Sequence, residues 1–266
     1  PRPLPEGDRP LSGIRVLDVT RVLAGPTCGR TLAEHGADVL RVGTPKMPDN
    51  EAMMRDTGHG KRSTVLDLTA AADAERLRTL IADADVFSQG YRPGAIAGLG
   101  FSPEQVAAIR PGIVYVTISA FGHEGPWRDR RGFDSVVQSV SGIAEAAAAD
   151  GKPRFLPANP LDYTTGYLAA FATMVALRRQ AREGGSWHVR LSLAQTGRFL
   201  AGLSRAPGWE SQPAELPQER LDELMTVTDT PFGPLKHFTP VAHMSETPAR
   251  WERPTVPLDN DPPVWT

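Results

Sequence analysis

Ile14-Arg15-Val16-Leu17-Asp18-Val19, followed by Pro26 to His35 and then by Asp38-Val39-Leu40-Arg41-Val42, is the stretch whose reading sets the architecture. The first run is short and rich in β-branched and apolar residues, which reads as a strand. Pro26 to His35 reads as a helix with proline in its first turn, ended by Gly36. Asp38 to Val42 is a second strand, so the three pieces form a compact β-α-β unit. The turn between strand and helix carries Ala24-Gly25-Pro26 instead of the three-glycine dinucleotide fingerprint, which removes the main support for a nicotinamide or flavin cofactor.

Working outward, the alternation continues. Gly58-His59-Gly60-Lys61-Arg62-Ser63 reads as a loop before a strand at Thr64 to Leu68. Ala70 to Ala82 is helix-patterned, with Leu77, Leu80 and Ile81 on one face, and Asp85 to Ser88 is the next strand. Ser102-Pro103-Glu104-Gln105 matches a capping box and opens a short helix ending near Arg110. Gly112 to Ser119 is the most continuous apolar β-run, as expected of a central strand buried on both faces. A glycine-punctuated loop, Ala120 to Trp127, follows it, then a helix from Phe133 to Glu145 and a strand from Ser186 to Leu193. The pattern predicts an α/β fold: a Rossmann-like, mostly parallel sheet with crossover helices.

The expected organisation is a proline-rich arm at 1–10, an α/β domain at 11–205, and a C-terminal segment at 206–266. In that last segment prolines accumulate, only Leu221 to Val227 looks regular, and the chain is expected to wrap across a surface. The first residue is Pro1, not Met, as in a processed or cut chain.

Pro160-Leu161-Asp162-Tyr163-Thr164-Thr165-Gly166 places one carboxylate at the start of a long helix whose continuation, Tyr167 to Leu177, is apolar almost all round and therefore buried. Asp162 has two readings there. It is either an N-cap accepting a backbone N–H, or a reactive group aimed into a cleft.

Composition narrows the function. With 266 residues, 40% of them apolar, and a net charge of −2 with both signs interspersed, the chain is globular and has no stripe for nucleic acid or a membrane surface. Cys28 is the only cysteine, which excludes an intramolecular disulfide and fits a reducing cytoplasm. No apolar run is long enough to span a bilayer, and no metal-ligand spacing is present around His237 or His243. His35, His59 and His123 read as hydrogen-bonded structural histidines.

The residues resemble those of the class III CoA-transferases, the family of formyl-CoA transferase and carnitine CoA-transferase. The resemblance rests on a collinear set: residues 17–26, 32–42 and 60–68, then Tyr91-Arg92-Pro93-Gly94, Ser119 to Pro126, Gly132-Phe133-Asp134-Ser135-Val136-Val137-Gln138, and Leu161 to Gly166. It covers roughly residues 11 to 200, and residues 229–234 and 258–260 are similar to the end of the family fold. It implies that Asp162 is the nucleophile, attacking an acyl-CoA thioester to form an aspartyl acyl anhydride. A helix N-terminus would favour its ionised form.

The same resemblance implies coenzyme A or acyl-CoA and a carboxylic acid as substrates, no permanently bound cofactor or metal, and an interlocked homodimer. It nominates Leu23, Ala24, Lys61, Arg62, Tyr91, Arg92 and Arg131 for binding CoA. Gly122, His123 and Gly125 are nominated as the loop facing an oxyanion. Departures are Leu23 where relatives carry Gln, Gly43 where the second strand usually ends in Glu, and Gly90 in place of a polar residue. The family's small domain is expected to be absent or supplied from elsewhere. A non-catalytic CoA- or partner-binding scaffold of the same fold is the alternative. A 2-methylacyl-CoA racemase is disfavoured, because Phe133 occupies the place of its acid/base histidine.

Overall fold

The structure, a computed structural model, describes residues 1, 3–47, 50–148, 151–203, 207 and 215–266. The boundary expected at 205/206 lies outside them. Six strands form one parallel sheet in the order β3-β2-β1-β4-β5-β6: β1 Arg15–Val19, β2 Asp38–Gly43, β3 Lys61–Val65, β4 Val86–Gln89, β5 Val114–Ser119 and β6 Trp187–Ser192. The order reverses direction between β1 and β4, the place where open parallel sheets bind ligands beyond the carboxyl ends of their strands.

Period-two alternation divides the core into two layers. Val16, Val39, Val86, Val114 and Val116 face one side, against α1 (Ala24–Glu34) and α7 (Pro160–Glu183). Leu17, Leu40, Phe87 and Tyr115 face the other, against α3 (Ala71–Ala82) and α4 (Pro103–Ile109). The capping box at Ser102 and Gln105 is formed in both directions.

Several elements differ from expectation for identifiable reasons. β3 begins at Lys61, three residues before the expected Thr64, because Lys61 and Arg62 are paired inside the fold by Asp18 and Asp38. The single helix expected at 133–145 is two, α5 (Asp134–Val140) and α6 (Ile143–Ala146), broken where Gly142 takes φ 82°. Helix α2 (Glu51–Thr57), capped by Asn50, and helix α8 (Leu193–Ala201), which follows β6 directly, are elements that the sequence reading does not include. Past α9 (Gln218–Leu224), the chain forms an antiparallel hairpin, β7 (Met225–Thr230) and β8 (Gly233–Phe238), not one regular run at 221–227.

The tail then runs along β3, the edge of the sheet. Asp261 accepts from the Ser63 amide at 2.9 Å and donates its own amide to the Ser63 carbonyl, and Asp259 accepts from the Val65 amide. Acidic side chains thus satisfy an edge that would otherwise be open to strand pairing. Trp251 donates to the Arg30 carbonyl and Trp265 to the Leu80 carbonyl, anchoring the tail on both layers.

α1 and α7 pack side by side and come close together at Gly166. A Cβ there would lie 2.6 Å from both the Ala24 carbonyl oxygen and Thr27 Cβ. Backbone cannot yield as a flexible side chain does, so Gly166→Ala is expected to push the helices apart and cost about 1–3 kcal/mol, measurable as a lowered denaturation midpoint with an unchanged m-value.

Candidate active site

The first turn of α7 is held from four sides. Pro160 occupies the first helical position and has no N–H to satisfy, while Asn159, in a left-handed conformation at φ 48°, contributes no side-chain cap. The orphan amides of Leu161 and Asp162 donate instead to one oxygen of Asp134, at 2.8 and 3.0 Å. The other Asp134 oxygen accepts from the Gln138 amide, whose carbonyl holds the Leu156 N–H. The hydroxyl of Tyr163 donates to Asp56 at 2.9 Å, Thr165 donates to Thr196 of α8, and Gly166 rests on Ala24.

Asp162 is therefore the third residue of α7 and not its N-cap; Asp134, from a different helix, does the capping. The Asp162 side chain is 7% exposed, and among the described residues its carboxylate accepts no hydrogen bond. Burial first, and the neighbouring Asp134 charge second, push its pKa up to about 7. This reverses the expectation that the helix terminus would favour ionisation, because Asp134 already occupies the positive end of the helix. What results is a desolvated carboxylate with free lone pairs, suited to act as a nucleophile or as a proton acceptor.

Leu23 immediately precedes α1 and Ala24 begins it, so both lie at the end of the sheet that Asp162 faces. Between β1 and α1, Val22 adopts φ 70°, a left-handed conformation that a β-branched residue avoids. Lys61 and Arg62 are not loop cations. Lys61 is buried in an ion pair with Asp18, and Arg62 pairs with Asp38 and donates to the Val264 carbonyl. Arg92 and Arg131 are exposed, and Arg131 lies three residues before Asp134.

The glycine loop after β5 has other engagements. The Gly122 amide donates to Ser119 Oγ at 3.1 Å, the Gly125 carbonyl accepts from Arg128, and the His123 ring lies 6.1 Å from that of His188. His188 alternates with Val189, which packs toward α7, so its ring faces the opposite side of the sheet, next to Tyr115. His59 is buried with its ring 4.0 Å from that of His237, and burial lowers its pKa to about 4. Among the described residues, no group of three or more His, Cys, Asp or Glu side chains could hold a metal, and no helix is long and apolar enough to cross a membrane.

An apolar cavity of about 170 Å³ opens at the carboxyl ends of β1, β2 and β4, walled by Val19, Val42, Leu66, Tyr91 and Leu99, with Lys46 at its rim. Asp134 had no assigned role in the sequence beyond its place in a motif. The signal for it is an acidic residue opening one helix near the uncapped, proline-led start of another.

Residues 11–220 match CoA-transferase family III. The chain belongs to this family. It is 37% identical to the acetyl-coenzyme A transferase nodX of Hypoxylon pulicicidum over 72% of this chain and 34% of that protein, and 32% identical to the succinate–glutarate CoA-transferase of Agrobacterium fabrum over 71% and 52%. Among solved structures, protein Rv3272 of Mycobacterium tuberculosis superposes with a TM-score of 0.69 at 31% identity, over 73% of this chain and 58% of that one. A CaiB/BaiF family protein from Brucella suis superposes with 0.68 at 28% identity, over 86% and 65%. The chain spans from about a third to about half the length of these two curated relatives.

The buried Asp162 carboxylate has a consequence for stability. Its folded-state pKa of about 7 lies above the 3.8 of an ordinary Asp, so the folded state holds the extra proton and stability falls as pH rises from about 4 to 7. Asp162→Asn removes that penalty. It is expected to raise the melting temperature at pH 8, by about 2–4 °C per kcal/mol recovered, with the gain vanishing below about pH 4.

Proposed function

We propose that the chain transfers CoA between an acyl-CoA and a carboxylic acid, with Asp162 as nucleophile. The observation that carries this is a buried carboxylate, without a hydrogen bond among the described residues, at the start of α7, beside the start of α1 at the carboxyl edge of a family III sheet. The ionised carboxylate attacks the thioester carbonyl carbon, the C–S bond breaks, and CoA thiolate leaves with its electron pair. The product is a mixed anhydride on Asp162. Thiolate attack on the aspartyl carbonyl then releases the donor acid and leaves an aspartyl thioester; the acceptor carboxylate repeats the two steps in reverse order.

The nucleotide end of CoA fits the apolar cavity, where a flat base can lie against Val19 and Tyr91. From there the β1–α1 turn, Thr20 to Ala24, leads across the edge of the sheet to Asp162. Lys46 at the cavity rim and the exposed Arg92 and Arg131 are cations open to its phosphates; Lys61 and Arg62, matched by internal carboxylates, are not. A donor for the oxyanion is sought at Gly125, since the Gly122 amide is already engaged and the His123 ring lies by His188, on the side of the sheet away from α7.

A homodimer belongs to the same proposal. Three helices in mutual contact present exposed apolar side chains: Phe133 and Val140 beside and on α5, Phe171 and Val175 on α7, and Phe199 on α8, with the phenylalanines 52–64% exposed. Exposed apolar side chains gathered on neighbouring helices are the kind of surface that protein partners cover. A cytoplasmic setting accords with the buried, unpaired Cys28, whose thiol pKa is pushed up to about 12. The non-catalytic scaffold of the same fold is the competing reading.

Incubation with a panel of acyl-CoAs, acid quench and peptide mass spectrometry is expected to show an acyl adduct on the peptide carrying Asp162, absent in Asp162→Asn; a folded chain that binds CoA without an adduct is the scaffold. Adduct formation should rise with pH through about 7 as Asp162 ionises. Asp134→Asn, which keeps the cap and removes the charge, should move that midpoint to lower pH. An unmoved midpoint would show that Asp134 does not tune the nucleophile. Light scattering should give twice the chain mass, reduced toward one chain mass by Phe171→Glu.

A further inference from the structure

Lys61 lies beneath the first turn of α1, 2% exposed, with Nζ 2.6 Å from Asp18 Oδ2 and 2.7 Å from the Pro26 carbonyl oxygen. Asp18, fully buried at the end of β1, turns its other oxygen to the Thr20 amide at 3.1 Å and to the Thr20 hydroxyl. The helix makes room for this cluster. A Cβ at Gly29 would lie 2.6 Å from Asp18 Oδ2 and 3.0 Å from Lys61 Nζ, and one at Gly25 would overlap the Thr20 side chain. Strand end and helix start are thus pinned to the same two charges.

Between those two pinned points lies Val22 at φ 70°. Strain of this kind persists only where the surroundings over-determine it, and it gathers at ligand clamps and active sites. Stability alone does not account for the ion pair, since a buried pair is commonly matched or bettered by apolar residues of similar volume. Its distinctive geometric effect is to leave Thr20 to Ala24 no room to relax. The Lys61 side chain, an expected ligand of CoA, has no reach toward solvent from this position.

We propose that Lys61 and Asp18 are positioning residues: the buried pair clamps β1 to the first turn of α1 and holds the strained Val22–Ala24 turn on the path by which acyl-CoA reaches Asp162. The identity of that ligand rests on the transferase reading above; the clamp itself does not. Neither residue touches the reacting atoms. Their effect passes through the turn.

Four proteins test this: wild type, Asp18→Asn/Lys61→Met, Val22→Gly, and the triple variant. The neutral pair should fold, bind CoA more weakly and acylate Asp162 about 100-fold more slowly, the penalty for a displacement of about 1 Å at a reacting site. Val22→Gly should recover part of that rate in the unclamped background, because glycine reaches φ 70° without strain. It should raise the melting temperature of wild type, where strain is stored, and not that of the unclamped protein, where the turn has already relaxed.

A wild-type acylation rate in the neutral pair, or no recovery on adding Val22→Gly, overturns the positioning role. Equal melting shifts from Val22→Gly in both backgrounds overturn the clamp. If the neutral pair does not fold, Thr20→Val, which removes the hydroxyl bond to Asp18 and keeps both charges, enters the same cycle under the same criteria. If wild type forms no adduct with any acyl-CoA, the transferase reading fails, and the melting shifts alone decide whether the clamp exists.

Discussion

One carboxylate capping another helix's first turn is the constraint on which the candidate site depends. α7 begins with a proline and an asparagine that does not cap, so two of its amides would be buried without partners, each at a cost of about 1–3 kcal/mol. Asp134 removes that cost with a single oxygen. It also fixes where α5 must begin, how the 151–159 connection approaches through Gln138 and Leu156, and how α7 enters the core. Because the cap is charged and buried, it sets the electrostatic environment of the next carboxylate along the helix. Asp162 meets a positive helix end that has already been neutralised.

The remaining contacts around α7 translate this local geometry into rigidity. Arg30 of α1 pairs with Asp56 at 2.8 Å and reaches the Tyr167 hydroxyl, while Tyr163 donates to the same Asp56. Tyr163 and Tyr167 lie one turn apart on α7, so one arginine and one aspartate hold a whole helical face. Trp251 of the tail then packs near the Arg30 guanidinium and accepts the stacked rings of His59 and His237 as neighbours. The C-terminal segment therefore adds to the support of the site, although it lies at the far edge of the sheet from β6.

Periodicity and turn chemistry made the frame legible. The β1–α1–β2 unit, the capping box at Ser102 and strand β5, buried though second from the edge of the sheet, all follow local rules, in which residues a few positions apart decide the outcome. The place of Asp162 in the first turn of a buried helix was legible because Pro160 marks a helix start and Tyr167 to Leu177 is apolar almost all round. Contacts made through space were not legible. Lys61 and Arg62 look like a solvated loop until Asp18 and Asp38, 43 and 24 residues away, are placed beside them. The β7–β8 hairpin is hidden by Pro231 and Pro234, which suggest coil, although proline at a turn and on a two-stranded edge is compatible with pairing.

On the reaction proposed for Asp162, the same burial that destabilises the fold acts in the direction of catalysis. The ionised ground state places a desolvated charge beside Asp134. As the carboxylate oxygen bonds to the thioester carbon, its charge moves first onto the carbonyl oxygen and then away on sulfur, and the anhydride that remains on Asp162 is neutral. The like-charge repulsion is thus greatest before attack and falls as the bond forms, so it lowers the barrier instead of merely penalising binding. An aspartate held by two or three hydrogen bonds would be easier to ionise and more stable, but its charge would be harder to move. Among the described residues no hydrogen bond holds the Asp162 charge back in this way.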